Sequence, residues 1–197
     1  MPILYQGKGA DYGPNSWLWR GKKLVFTEGK RTSKEVRKNV RCSTFDAHSI
    51  VNKTVAVMEH LQDQECDICF VQETFLKEAD TAKLQEIRDY GWNILSNPRK
   101  HRSGGGIAFL YRKDYITLKS NNKVTKYKSF QVMEALLSTN CGLIRLINVY
   151  RPPYTKKARF TESMFLEEFE ECICDLSNKP GKSVIAGDFN IRVERPQ

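Results

Sequence analysis

The sequence lacks any long apolar run. Its longest nearly uncharged apolar stretches, residues 146–150 and 183–186, fall far short of the ~20 residues that a membrane-spanning helix needs. No membrane partner is expected. The first twelve residues hold no apolar core of a secretory signal, so the sequence reads as intracellular, nuclear or cytoplasmic, and not secreted. Cysteine is present six times, without the pattern of a disulfide framework in a small exported domain. Cys66-x-x-Cys69 and Cys172-x-Cys174 lack the loop glycines and the matched second knuckle of a zinc site, so buried reduced thiols are expected. Internal repeats and low-complexity tracts are also missing, and a hydrophobic fraction of 40% excludes a wholly disordered chain.

What is present is one domain's worth of chain, 197 residues, carrying 32 Lys and Arg against 23 Asp and Glu. Arg20, Lys22, Lys23, Lys30, Arg31, Lys34, Arg37, Lys38 and Arg41 face only Glu28 and Glu35, so most of the net +9 sits near the start. This leader has five glycines before residue 30 and no sustained periodicity, which predicts a basic, irregular arm over residues 1–39 and a folded domain over 40–197. Such an arm is either plain solvated tail or an attractor of phosphates.

From residue 40 the pattern is α/β. A short strand over 40–45 precedes a helix with Ser49 as its N-cap and Ile50, Thr54, Val57, Met58 and Leu61 along one face. Residues 67–72 read as a buried strand, and Thr81 opens a second helix that turns Leu84 and Ile87 inward. Strand-like runs follow at 92–95, 106–112, 116–119, 130–138 and 143–150, the last two joined as a hairpin by the turn at 139–142. Phe165, Phe169, Ile173 and Leu176 form the stripe of a third helix over 160–176, stopped by Pro180-Gly181. A buried strand over 183–186 ends at Gly187.

Three acids stand just past apolar strands: Asp46, Glu73 and Asp188. Groups at the carboxyl ends of strands in α/β architectures converge on one crevice, and clustered hard oxygens suit Mg²⁺ or Mn²⁺, the metals of phosphate chemistry. Asp188 and Asn190 lie on alternate positions of an extended segment, so both can face one reacting group. Other motifs carry less. Gly181-Lys182-Ser183 mimics the end of a P-loop but lacks its first glycine and is followed by a strand. Gly104, Gly105 and Gly106 precede a strand, which suits a tight turn more than a nucleotide cradle. Asn52-Lys53-Thr54 has sequon form but falls on a helix.

Five segments in order resemble the endonuclease/exonuclease/phosphatase superfamily, of DNase I-like fold, and within it the apurinic-like endonuclease domain of non-LTR (LINE-type) retrotransposons. They are residues 45–50 (FDAHSI), 71–76 (VQETFL), 102–111 (RSGGGIAFLY), 147–153 (INVYRPP) and 187–191 (GDFNI). The resemblance implies a four-layer α/β/β/α sandwich and Mg²⁺-dependent (or Mn²⁺-dependent) hydrolysis of a DNA phosphodiester. It implies that Glu73 holds the metal and that Tyr150 lines the scissile phosphate with Asn148 beside it. Asp188 would orient or activate the attacking water, and Asn190 would support the developing phosphate charge. Asp46 stands where the family has asparagine, which makes it a second metal ligand that cannot donate an amide hydrogen bond.

The family continues to a Ser-Asp-His segment that these residues do not include, so an impaired domain, incomplete at its C-terminus, is the expectation. His48, His60 and His101 read as isolated. For DNA contact the basic loops nearest the crevice are Arg99, Lys100 and Arg102, and Arg151 after Tyr150, with the 156–159 run as a further candidate. No stable protein partner is evident. The alternatives are a catalytically silent nucleic-acid-binding remnant, or a phosphatase of the same fold acting on a phosphorylated small molecule.

Overall fold

The computed structural model describes residues 16–20, 23–27, 40–98, 105–114, 116–121, 127–139, 142–153 and 160–191. Ten strands and three helices run in the order β1 (Ser16–Arg20), β2 (Lys23–Thr27), β3 (Arg41–Asp46), α1 (Thr54–Asp63), β4 (Ile68–Gln72), α2 (Thr81–Asp89), β5 (Trp92–Asn97), β6 (Ile107–Arg112), β7 (Leu118–Ser120), β8 (Gln131–Thr139), β9 (Gly142–Tyr150), α3 (Glu162–Ser177) and β10 (Lys182–Asp188) among the described residues. They form two mixed sheets, one ordered β1-β2-β3-β4-β6-β5 and the other β10-β9-β8-β7.

Side-chain alternation explains the layering. On β4 and β6, Ile68, Phe70, Ile107, Phe109 and Tyr111 point to a core shared with Met133, Ala135, Leu137, Ile144, Leu146 and Tyr150 of the other sheet. Their neighbours Cys69, Val71, Ala108 and Leu110 point the opposite way, onto Val57, Met58, Leu61 and Ile87 of the first two helices. Strands buried on both faces read as continuous apolar runs, which is why the β6 segment IAFLYR shows no polar alternation. On the second sheet Ile147 and Val149 turn outward onto Phe165, Cys172 and Leu176 of α3. The result is helix, sheet, sheet, helix: the four-layer α/β sandwich expected from the sequence.

Two pairs are parallel, β3 with β4 and β9 with β10, and each is joined through a helix, α1 or α3. Hence the carboxyl ends of β3 and β4 lie side by side, as do those of β9 and β10. Thr161 caps α3, its hydroxyl accepting from the Met164 N–H at 3.2 Å; Gly181, at φ +101°, lies in the turn before β10.

Two local expectations are corrected. Ser49 is not the N-cap of α1; the cap position is Lys53. Ser49 instead sits at φ +78°, in a connection whose Ser49 and Ile50 N–H groups donate to the Glu73 and Thr74 carbonyls at 2.8 and 3.0 Å. Within the stretch read as an irregular arm, β1 and β2 pair as an antiparallel hairpin, and β2 continues onto β3 through Lys23↔Ser43, Leu24↔Cys42 and Val25↔Arg41. The glycines flanking this hairpin masked the signal. The other residues of 1–39 lie outside the described residues.

Candidate active site at the converging strand ends

Glu73 follows β4 directly and is held in the left-handed region at φ +50°. For a residue with a Cβ this conformation persists only where surrounding contacts hold it, and here they are plain. Thr74 and Phe75 donate their N–H groups to the carbonyls of Gly106 and Gly105 at 3.1 and 2.8 Å. The Tyr150 hydroxyl donates to Glu73 Oε1, and His48 Nδ1 lies 2.7 Å from Glu73 Oε2. The Glu73 side chain is 14% exposed against 79% for His48, so the tyrosine grips the carboxylate from the core side and the imidazole from the open side. His48 is therefore not isolated, contrary to the sequence reading. Nothing in its sequence neighbourhood reveals a partner 25 positions away.

Asp46 ends β3 beside this pair. Lost hydration first, then the like charge of Glu73, push its carboxyl above the ordinary range, and the Asp188 carboxylate adds to this; the His48 N–H, 3.4 Å from Asp46 Oδ1, opposes it. Asp46 at the end of β3 thus feels both the carboxylate just after β4 and the one at the end of β10. Asp188 is the register partner of Tyr150, which ties the second sheet's strand ends to Glu73. Among the described residues no three His, Cys, Asp or Glu side chains are gathered closely enough to enclose a metal. A pair of hard carboxylates fits an ion such as Mg²⁺, which keeps several waters and takes only one or two protein ligands.

Asp188 is fixed by its own neighbour. Asn190, at φ +47°, donates its N–H to Asp188 Oδ1 at 3.0 Å and Nδ2 to Asp188 Oδ2 at 2.8 Å. Nδ2 also donates to the Arg151 carbonyl at 2.7 Å. Both amide hydrogens are engaged, since a carboxamide nitrogen carries only two. In this arrangement Asn190 orients Asp188, and donation to a phosphate requires its amide to turn.

Two residues expected at the crevice are buried. Asn148 does not line the crevice: it is fully buried. It accepts from Gln72 Nε2 at 2.6 Å and donates to the Val71 and Ala108 carbonyls at 3.0 and 2.9 Å. It bridges the two sheets beneath Glu73 and Tyr150. Same-face residues of a strand stand ~6.6 Å apart along it, so only Tyr150 reaches the mouth. Arg151 is likewise buried, 8% exposed, with Nη1 3.0 Å from the Asn190 carbonyl and 3.4 Å from that of Phe189. Arg99, Lys100, Arg102 and the 156–159 run lie outside the described residues. Gln72, which the sequence did not single out, is central to the bridge: Thr44 donates to its Oε1 at 3.1 Å, and its Nε2 also donates to the Phe70 carbonyl at 3.1 Å.

Among the described residues Cys42, Cys66, Cys69 and Cys172 are buried and in no disulfide, as expected, whereas Cys174 is exposed, contrary to the expectation of a buried thiol.

A two-sheet α/β sandwich with acids converging at its parallel strand ends is the class of protein that fold and site define. Residues 39–196 match the model of the Endonuclease/Exonuclease/phosphatase family, and the chain belongs to that family. Among solved structures it is similar to the 3' phosphatase NExo from Neisseria bound to product DNA hairpin, at 22% identity and TM-score 0.56, over 76% of this chain and 57% of that one. It is also similar to the endonuclease domain of TRAS1, a telomere-specific non-LTR retrotransposon, at 12% identity and TM-score 0.56, over 78% and 61% of the two chains. These likenesses are of fold. Among curated proteins it is 24% identical over 159 residues to the DNA mismatch repair protein MSH3 of Candida albicans, covering 79% of this chain but 13% of that protein.

Proposed function

We propose that this chain hydrolyses phosphodiester bonds in DNA with Mg²⁺ or Mn²⁺, as a nicking endonuclease domain of retrotransposon origin. The observation that carries the reading is the grip of Tyr150 and His48 on Glu73, with Asp46 and Asp188 close by. Retrotransposon origin is supported by the five ordered segments of the sequence and by the likeness to the TRAS1 endonuclease domain. The family is typically metal-dependent.

Glu73, with Asp46, would hold the divalent ion, whose chemistry is to neutralise charge developing on the phosphate oxygens. Tyr150 keeps Glu73 in one rotamer and lines the phosphate position. Asp188 accepts a proton from the attacking water, and its orientation by Asn190 sets the line of attack. The developing negative charge sits at the mouth of the crevice, above the buried Asn148–Gln72 bridge, where fixed dipoles act more strongly than in water.

The test is nicking of supercoiled plasmid by the 197-residue chain. Nicking should need Mg²⁺ and fall by about two orders of magnitude or more in Asp188→Ala and Glu73→Gln, the scale seen when a transition-state group is removed. Nicking that persists in excess EDTA overturns the mechanism. DNA binding without metal-dependent turnover replaces it with the catalytically silent alternative, and turnover of soluble phosphomonoesters alone replaces it with a phosphatase.

A further inference from the structure

The Asp188-Phe189-Asn190 turn has to hold a catalytic carboxylate still, yet it leaves a strand at the second sheet's edge, with Asn190 in a conformation that only surrounding contacts maintain. Arg151 is engaged by every residue of this turn. Its N–H donates to the Asp188 carbonyl at 2.8 Å. Its carbonyl accepts from Asn190 Nδ2 at 2.7 Å, and its guanidinium donates to the Phe189 and Asn190 carbonyls at 3.4 and 3.0 Å. The guanidinium carbon stands 4.8 Å over the ring of Phe165 on α3. Phe189 in turn packs edge-on against Phe169, one turn further along the same helix, with ring centroids 5.6 Å apart.

We infer that Arg151 is a positioning residue, acting on the reaction through Asn190 and Asp188 by fixing the turn to α3, and not a contact to the DNA backbone. The inference rests on the proposed hydrolysis. A planar guanidinium whose Nη1 reaches two carbonyls while its face lies over a ring suits arginine better than lysine, whose compact, strongly hydrated ammonium has no plane to lay on the ring. The residue is 8% exposed, and a phosphate-binding arginine needs its donors open to the ligand.

Three readouts separate the possibilities for Arg151→Lys. As a positioning residue, Arg151 predicts that kcat falls by about 10- to 100-fold, the cost of an ångström-scale misplacement, with KM and the salt dependence of DNA binding unchanged. A phosphate contact predicts the opposite: KM rises in Arg151→Lys, and the salt slope drops by about one in the charge-removing Arg151→Gln. A merely structural role predicts a lower Tm with kcat intact at low temperature. Leu176→Ala, which thins the core under the far end of α3, is the control that should lower Tm without lowering kcat. The side-chain amide resonances of Asn190 report the turn without turnover, and they should move in Arg151→Lys and stay in Leu176→Ala. Unmoved Asn190 resonances overturn the inference whether or not the wild-type chain hydrolyses DNA. Moved resonances in a chain without metal-dependent turnover uphold the brace and remove the hydrolytic reading instead.

Discussion

Replacing Asn148 by leucine, similar in size and unable to hydrogen-bond, removes the sheet-to-sheet bridge at one stroke. Three bonds go: the one from Gln72 and those to the Val71 and Ala108 carbonyls. A buried hydrogen bond is worth ~1 kcal/mol net, and a partner left buried without replacement costs a further ~1–3 kcal/mol. Gln72 keeps Thr44 and Phe70 as partners, which limits the second part. The expected loss is ~3–4 kcal/mol, against the ~1 kcal/mol typical of a point substitution. With a urea slope of ~2 kcal/mol/M the unfolding midpoint should fall by ~1.5–2 M, followed by the fluorescence of buried Trp92. Gln72→Leu should cost a comparable amount. The double variant should cost less than the two added together, by ~1–2 kcal/mol, because each single change strands the other amide. A midpoint shift below ~0.5 M, or strict additivity, would refute the buried bridge.

Three further outcomes follow from the same geometry. A Cβ at Gly187 would stand 1.8 Å from the Val149 carbonyl oxygen at φ +151°, so Gly187→Ala should lose ~3 kcal/mol or more; a wild-type Tm would contradict the close approach of β10 to β9. Burial opposes ionisation of Glu134, but hydrogen bonds from Lys179, Asn121 and Arg145 prevail and hold its carboxyl below the ordinary value of 4.5. Its contribution is therefore present above that value and lost as pH falls through the lower folded-state pKa, so urea midpoints of Glu134→Gln should decline less steeply than wild type from about pH 5 to pH 3. Iodoacetamide on the native protein should label Cys174 and spare Cys42, Cys66, Cys69 and Cys172; peptide mapping reads this directly.

Periodicity alone made most elements legible. The face of α1, the doubly buried β4 and β6, the β8–β9 hairpin and the α3 stripe all rest on spacing that the chain displays openly. The convergence of Asp46, Glu73 and Asp188 was legible for a related reason: each follows an apolar run, and parallel pairing through helices sends such ends to one side. Depth was not legible. Asn148 and Tyr150 share a strand face, and the alternation that groups them says nothing of which one sits at the rim. Arg151 reads as a phosphate ligand because it is charged and next to the site; its burial comes from α3, which begins only at Glu162. The roles of His48 and Gln72 depend on contacts 25 and 76 residues away, which local spacing does not encode.

The most direct measurement is Mn²⁺ binding followed by electron paramagnetic resonance on the wild-type chain, Glu73→Gln and Cys174→Ser. One ion per chain should bind to the wild type and to Cys174→Ser, and at least tenfold more weakly to Glu73→Gln, matching a site with few protein ligands. Equal affinity in all three, or no ion bound to the wild type, would contradict a divalent-ion site built on Glu73.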